Sequence, residues 1–166
     1  MKKLWIFGCS ISDSNQPKSR LDYVKWKGYE IKSWSELLSD KLDFQLENYA
    51  VSGGSNLTIM EEFSKNCNKF KSGDIVIINW TEITRFRMAF NNEWLNILNQ
   101  FINHPHLEDK RNFLELNGVD IQTIVDITNN RESELFYLEL DNWYNLIYTY
   151  CNAIGVKLIF WGVKFQ

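Results

Sequence analysis

The chain has 166 residues, of which 45% are hydrophobic and 15% are aromatic. This length suits one domain, and the composition excludes a disordered chain. The formal net charge is −3, from 18 basic and 21 acidic residues. Because nucleic-acid binding needs a basic excess on one face, we expect no nucleic-acid partner.

The three cysteines, Cys9, Cys67 and Cys151, form neither a paired framework nor a Cys-x-x-Cys motif. Reduced thiols and a cytoplasmic location are the simplest interpretation. The apolar run that follows Lys3 is too short for a secretion signal. No run of about 18 apolar residues predicts a membrane span, so we expect no membrane partner.

Strand-like and helix-like segments alternate in the first half of the chain. In chain order the pattern predicts a strand over Lys3–Phe7, a surface loop over residues 12–30, a helix through Leu42 capped by Ser33 or Ser35, a strand over Phe44–Val51, a helix from Leu57 to about Phe70 capped by Asn56, and a strand over Ile75–Ile78. Such alternation indicates a parallel sheet with right-handed crossovers.

The residue pattern in the second half of the chain predicts three further helices and one further strand. The segments are a helix over Asn91–Ile102, a loop over Asn103–Glu108, a short helix over Gly118–Ile127, a long helix over Glu132–Ala153 ended by Gly155, and a strand over Val156–Val163. Residues 82–131 are long for a connection, so we expect a helical insertion, either a lid or a side layer. The predicted fold is a single three-layer, flavodoxin-like α/β domain over residues 1–166. Its strand order is 2-1-3-4, and a fifth strand is missing.

Three polar turns follow the first three predicted strands, at Gly8–Ser12, Ser52–Asn56 and Asn79–Glu82. Ligands of parallel α/β sheets bind at the carboxyl ends of the strands, where these turns should meet. A Gly-x-Ser turn directs the Ser10 hydroxyl into the cleft, and its backbone N–H can help to hold an oxyanion. Taken alone, such a tripeptide is usually a structural turn, and Gly53-Gly54 can be a plain strand-to-helix turn.

The same turns resemble the sequence blocks of the SGNH/GDSL hydrolases. Residues 5–12 resemble the first block, in which a strand runs into Gly-Asp-Ser, although Cys9 replaces the Asp. Residues 48–53 resemble the second block, which carries an oxyanion Gly, and residues 74–78 resemble the strand before the third. Ser33 to Leu42 resembles the intervening helix.

Trp80-Thr81-Glu82 with Arg85 is similar to a phage- and bacteria-associated subgroup that has Gly-Cys-Ser in its first block. The resemblance covers residues 3–87 and 157–163. It implies an ester hydrolase that removes acyl or acetyl groups, from a glycan among other substrates. It also implies no metal and no cofactor, and a virion location if the gene is a phage gene.

The resemblance implies a role for each matching residue. Ser10 is the nucleophile, and the backbone N–H groups of Ser10 and Gly53 face the oxyanion, with Gly54 beside them. Asn79 or Glu82 stands near the position of the third-block Asn. An ionised Glu82 accepts hydrogen bonds and would repel an oxyanion unless it is protonated or turned away.

Two further residues of the third turn are candidate substrate contacts. Trp80 belongs to the substrate-binding turn of the subgroup, and Arg85 can bind an anionic group. Arg85 is equally well explained as a surface residue that caps the edge of the sheet.

The general base is the main departure from the family, because a hydroxyl needs one to attack at neutral pH. The family supplies it from an Asp-x-x-His after the last strand, and these 166 residues contain none there. The two histidines, His104 and His106, fall in the insertion, and Asp109 follows them in the reverse order. Loop residues explain this pair better than a metal site does.

Three explanations stay open: a piece of a longer active hydrolase, a non-catalytic relative, or a base supplied by an insertion histidine. The predicted function is a serine ester hydrolase that forms a Ser10 acyl-enzyme. The alternative is an inactive binding module for a carbohydrate or a protein. A nucleotide-binding α/β domain is a third hypothesis, which the lack of a GxGxxG or Walker A motif disfavours.

Overall fold

The computed structural model describes residues 1–13, 17–81, 85–90, 93–97, 108–116, 118–129 and 134–162. Four parallel strands form the central sheet: β1 (Lys3–Phe7), β2 (Gln45–Asn48), β3 (Ile75–Trp80) and β6 (Lys157–Gly162). Their order, β2-β1-β3-β6, confirms the predicted α/β fold and its 2-1-3-4 arrangement.

The two central strands are apolar on both faces, as parallel sheets require. Leu4 pairs with Ile75 and Phe7 with Ile78, in an unbroken parallel register. Side chains alternate between the faces, so each strand contributes to two separate clusters. Trp5, Phe7 and Ile78 belong to the larger cluster.

Helices cover the sheet on both sides and so complete three layers. The larger cluster packs against α3 (Asn56–Asn66) and α6 (Glu134–Ala153), and includes Phe63 and Ile147. On the opposite face, α2 (Trp34–Leu42) supplies Trp34 and Leu38 against Leu4, Ile6 and Ile77.

The capping residue predicted from the sequence is correct for α2 and wrong for α3. Ser33 caps α2 in a capping box with Glu36, as one of the two predicted caps. The predicted cap of α3, Asn56, is wrong, since the Ser55 hydroxyl accepts from the Thr58 amide at 3.3 Å. Asn56 is instead the first helical residue.

The ends of two further helices are close to their predicted positions. Helix α3 stops at Asn66, and a 3-10 turn over Cys67–Lys69 replaces its predicted last turn. Helix α6 is followed by Gly155 at φ +72°, the left-handed conformation expected after a helix end.

The predicted loop over residues 12–30 is wrong in its second part, where α1 spans Pro17–Lys27. This helix lacks the apolar stripe from which a helix is usually recognised. Pro17 suits its first position, because that residue needs no intrahelical N–H bond. Tyr23 packs edge-on against Trp26 and Tyr29, with ring centroids 5.8 Å apart in each pair.

The predicted helix over Asn91–Ile102 is also wrong in its described part. Two antiparallel strands, β4 (Phe86–Phe90) and β5 (Glu93–Ile97), form a hairpin there. Phe86, Met88 and Phe90 recur at every second position, a strand period that precedes a polar Asn91-Asn92 turn. Residues 91–92 and 98–102 lie outside the described residues.

The later residues of the insertion that the structure describes form two helices. Helix α4 begins at Glu108, which the prediction placed in a loop, and ends at Leu116; residues 103–107 of that loop lie outside the described residues. Helix α5 (Ile121–Asn129) confirms the predicted short helix with shifted bounds.

One ion pair connects the hairpin to the main layers, from Arg87 of β4 to Glu61 of α3. Hydrogen bonds from Lys65 and Arg87 hold the pKa of Glu61 below its ordinary value. Among the helices described, none combines the length and apolar character that a membrane span requires.

Candidate functional site

The first and second polar turns touch at the carboxyl end of the sheet. The Val51 amide donates to the Gly8 carbonyl at 2.9 Å, extending the contact between β1 and β2 beyond the strands. The Ser52 amide donates to an Asp13 carboxylate oxygen at 3.2 Å. These bonds hold the two turns side by side.

The first and third turns meet at Gly8. A Cβ atom at Gly8 would lie 3.0 Å from the Asn79 Cβ and 3.0 Å from both Cβ and Oγ of Ser12. Only glycine fits without displacing these neighbours. The small size of Gly8 therefore suits the close approach of Ser12 and of Asn79 in β3, and a larger residue there would displace them.

The second and third turns are joined through Asn56. Its Nδ2 donates to the Thr81 carbonyl at 3.0 Å, and its Oδ1 accepts from the Thr81 amide at 2.8 Å. Both residues are buried. The start of α3 is thus held against the end of β3, and all three predicted turns converge.

Asn48, at the end of β2, forms hydrogen bonds with the first turn and with α2. Its Nδ2 donates to the Ser12 carbonyl at 2.7 Å and to the Ser35 hydroxyl at 3.2 Å, while its Oδ1 accepts from the Ala50 amide at 3.0 Å. The sequence placed Asn48 inside a predicted strand over Phe44–Val51, whereas β2 ends at Asn48, and the resemblance to the second block was the one signal that singled it out. Its partners were not visible in the sequence.

Ser10 lies half-buried in a tight turn directly after β1. The amides of Ser12 and Asp13 both donate to the Cys9 carbonyl, at 2.9 and 3.1 Å, which closes one helical turn around Ser10. The Cys9 side chain is buried, so it packs as a small apolar residue. The turn therefore leaves Ser10 neither fully buried nor fully exposed at the carboxyl end of the sheet.

The two adjacent glycines of the second turn differ. Gly53 has φ +73°, and a Cβ atom there would meet nothing within 4 Å. The space beside its backbone is therefore open. A Cβ at Gly54 would lie 2.9 Å from the Val51 carbonyl oxygen, so Gly54 is needed for packing.

The remaining predicted site residues lie at different depths. Asn79 is buried beside Gly8, and Trp80 is buried in the core between Trp143 and Phe160, with each ring centroid 6.1 Å away. Arg85 is half-buried just before β4.

Several predicted residues cannot be placed in the site. Glu82 and the histidines, His104 and His106, lie outside the described residues, and Asp109 lies on α4. The described part of the chain therefore contains no histidine near Ser10.

Two buried polar atoms at this end of the sheet have no hydrogen-bond partner among the described residues. They are the Ser12 hydroxyl oxygen and the Trp80 indole nitrogen, on residues that are 1% and 3% exposed. Nearly all buried polar groups in folded proteins are paired, and unpaired ones are frequent at functional sites.

The described residues include no cluster of three or more His, Cys, Asp or Glu side chains that could hold a metal ion. Burial raises the pKa of the Cys151 thiol to about 11, which keeps it protonated and unreactive at neutral pH. Chemically, the site therefore offers a serine hydroxyl, backbone amides and amide side chains.

Comparison with known proteins adds nothing to this geometry. No protein-family model matches the chain, and no curated protein matches its sequence significantly.

Proposed function

We propose that the chain is a serine ester hydrolase of the SGNH/GDSL type, with Ser10 as the nucleophile. The observation that carries the proposal is that the turn containing Ser10 meets the other two polar segments at the carboxyl edge of a parallel sheet. Three contacts join these segments: the close packing of Gly8 against Asn79, the hydrogen bond from Val51 to Gly8, and the hydrogen bonds between Asn56 and Thr81.

The chemistry follows from these groups. The Ser10 oxygen attacks the ester carbonyl carbon while its proton passes to a base. Backbone amides of Ser10 and Gly53 donate to the resulting oxyanion, and the open space beside Gly53 admits it. Expulsion of the alcohol leaves an acyl-enzyme, which water then hydrolyses to free acid and Ser10.

The attacking hydroxyl of Ser10 needs a base to accept its proton. The family resemblance supplies it from an Asp-x-x-His that these 166 residues lack after β6. We place it either in a longer form of the chain or on His104 or His106. The substrate is a carboxylic ester, with an acetylated glycan as one candidate.

The test is turnover of p-nitrophenyl acetate by the wild-type chain and by Ser10→Ala. We expect the substitution to reduce turnover to the buffer rate, whereas Ser64→Ala, an exposed serine on α3, should leave it unchanged. Equal turnover in wild type and Ser10→Ala would overturn the nucleophile assignment. Loss of turnover in His104→Ala or His106→Ala would assign the base to the insertion.

The open space beside Gly53 also suits a second candidate, an inactive module that binds a carbohydrate or a protein at the same edge. It predicts no turnover above buffer by the wild-type chain. Binding of O-acetylated oligosaccharides, measured by calorimetry, would then be retained in Ser10→Ala and lost in Gly53→Val, whose side chain fills the open space.

A further inference from the structure

Asp13 joins the turn that contains Ser10 to the turn that contains Gly53. Its carboxylate accepts a hydrogen bond from the Ser52 amide at 3.2 Å, across 39 positions of the chain. Its own amide donates to the Cys9 carbonyl at 3.1 Å, within the helical turn around Ser10. A half-buried side chain of the first turn is thus held by its own backbone and binds the backbone of the second turn.

Two hydrogen bonds between these turns lie on either side of Ser10 in the chain. One accepts on the Gly8 carbonyl, 2.9 Å from the Val51 amide. The other accepts on the Asp13 carboxylate, from the next amide of the second turn. Together they hold both ends of the Ser10 turn against the two residues that precede the predicted oxyanion glycine.

The second turn has the backbone pattern of a type II β-turn, with Gly53 in its third position. The Gly54 amide donates to the Val51 carbonyl at 2.9 Å, and Gly53 has φ +73°. Ser52, in the second position, lies outside the left-handed region. This conformation fixes the direction of the Gly53 amide within its turn, whereas the distance between the two turns depends on the bonds that join them.

We propose that Asp13 is a positioning residue, which sets the distance between the Ser10 hydroxyl and the Gly53 amide. This inference rests on the proposed function, in which that amide donates to the oxyanion formed by the attack of Ser10. An oxyanion donor must lie about 2.7–3.1 Å from the oxygen that it stabilises, and a misplacement of about 1 Å can cost about a hundredfold in rate. One hydrogen bond between the turns is therefore enough to decide the rate of the chemical step.

This role needs an acceptor at position 13 and does not need a negative charge. The Ser52 amide is a neutral donor, so a carboxylate oxygen or a side-chain amide oxygen can accept from it. The carboxylate makes the stronger bond, because ionised acceptors bind about twice as strongly as neutral ones. Its charge, however, opposes the charge that develops on the oxyanion. We therefore expect an asparagine to retain most of the function of Asp13.

A carboxylate three residues after Ser10 also raises the alternative of a general base. A base must take up the proton of the attacking hydroxyl, which an asparagine side chain does not do near neutral pH. The two roles therefore predict similar results for Asp13→Ala and opposite results for Asp13→Asn.

The first test compares the steady-state hydrolysis of p-nitrophenyl acetate by Asp13→Ala and Asp13→Asn. We expect Asp13→Ala to lower kcat about tenfold or more with KM within about twofold, because the misplaced donor acts in the transition state. Asp13→Asn should recover kcat to within about threefold of the wild type. Asp22→Ala, an exposed carboxylate on α1, is the control and should match the wild type. Equal losses in the two Asp13 variants, or no loss in Asp13→Ala, would contradict the inference.

The second test does not need turnover. Solvent exchange of the Ser52 amide, measured by nuclear magnetic resonance, should be about tenfold faster in Asp13→Ala than in the wild type or in Asp13→Asn. The Val51 amide, whose acceptor is a backbone carbonyl, is the internal control and should exchange at the same rate in all three. Unchanged exchange at Ser52 in Asp13→Ala would sink the inference. A wild type without turnover would instead contradict the proposed function, so the two proposals can fail separately.

Discussion

At the amino ends of the strands a buried carboxylate is fully occupied, whereas at their carboxyl ends two buried polar atoms have no partner among the described residues. Asp74, 2% exposed, accepts from the Lys3 amide and the Trp5 indole, both at 2.9 Å, and from the Lys71 amide at 3.0 Å. Ser12 Oγ and Trp80 Nε1 are the unpaired atoms. A completed buried network favours stability, and an incomplete one marks a site where stability is given up for another purpose.

The largest expected effect is at the amino end. Asp74→Ala removes the acceptor of three buried or half-buried donors and should lower the free energy of unfolding by about 4 kcal/mol. Urea denaturation measures it. Asp22→Ala, an exposed carboxylate on α1, is the matched control and should change stability by less than about 0.5 kcal/mol. Similar losses of unfolding free energy in the two variants would show that the Asp74 network does not stabilise the amino end of the sheet.

Asn48→Ala should have the next largest effect, at the carboxyl end. It leaves the Ala50 amide and the Ser12 carbonyl without their partner, and should cost about 2–3 kcal/mol. Because Asn48 holds the Ser10 turn to β2, any turnover of p-nitrophenyl acetate should fall as well, with a larger change in kcat than in KM. Asn152→Ala, exposed at the end of α6, serves as the control.

Gly8→Ala tests the contact between the first and third turns. The new Cβ must displace Asn79 or Ser12, which should cost about 1–2 kcal/mol. In the Gly8→Ala/Ser12→Ala double variant, loss of the Ser12 hydroxyl gives back some of this space. The combined loss should therefore be smaller than the sum of the two single effects. Additive effects would show that the position of the Gly8 Cβ is not in contact with Ser12.

The smallest expected change in stability tests most directly whether the carboxyl end of the sheet contains an unpaired hydroxyl. Ser12→Ala removes a hydroxyl that has no described partner, so stability should stay equal or rise by up to about 1 kcal/mol. Ser39→Ala removes a hydroxyl that donates to the Phe44 carbonyl at 2.6 Å and should lower stability by about 1 kcal/mol. If thermal denaturation shows equal losses in both, Ser12 is paired in solution.

Local patterns predicted the sheet well because its strands are buried runs between strong turn residues. Ile75–Ile78 is apolar and β-branched throughout. Gly8 marks the end of the first strand, and Gly155 marks the end of the last helix. The strand order was predicted from the resemblance to a flavodoxin-like fold, and right-handed crossovers alone would have left other orders open. The same patterns failed for the predicted helix over Asn91–Ile102, because the structure has strand β5 at Glu93–Ile97.

The sequence by itself determined the parallel α/β fold and the approximate positions of the polar segments that follow its strands, because these depend on local periodicity and on turn residues; Ser10 as the nucleophile was a prediction from the family resemblance. Tertiary structure alone decided that Asp74 binds Trp5, that Asn48 binds Ser12 and Ser35, and that Gly8 must be glycine to accommodate Asn79. Such contacts join residues far apart in the chain, for example 69 positions apart for Trp5 and Asp74. Their geometry depends on strand register and on packing between layers, which no local pattern encodes.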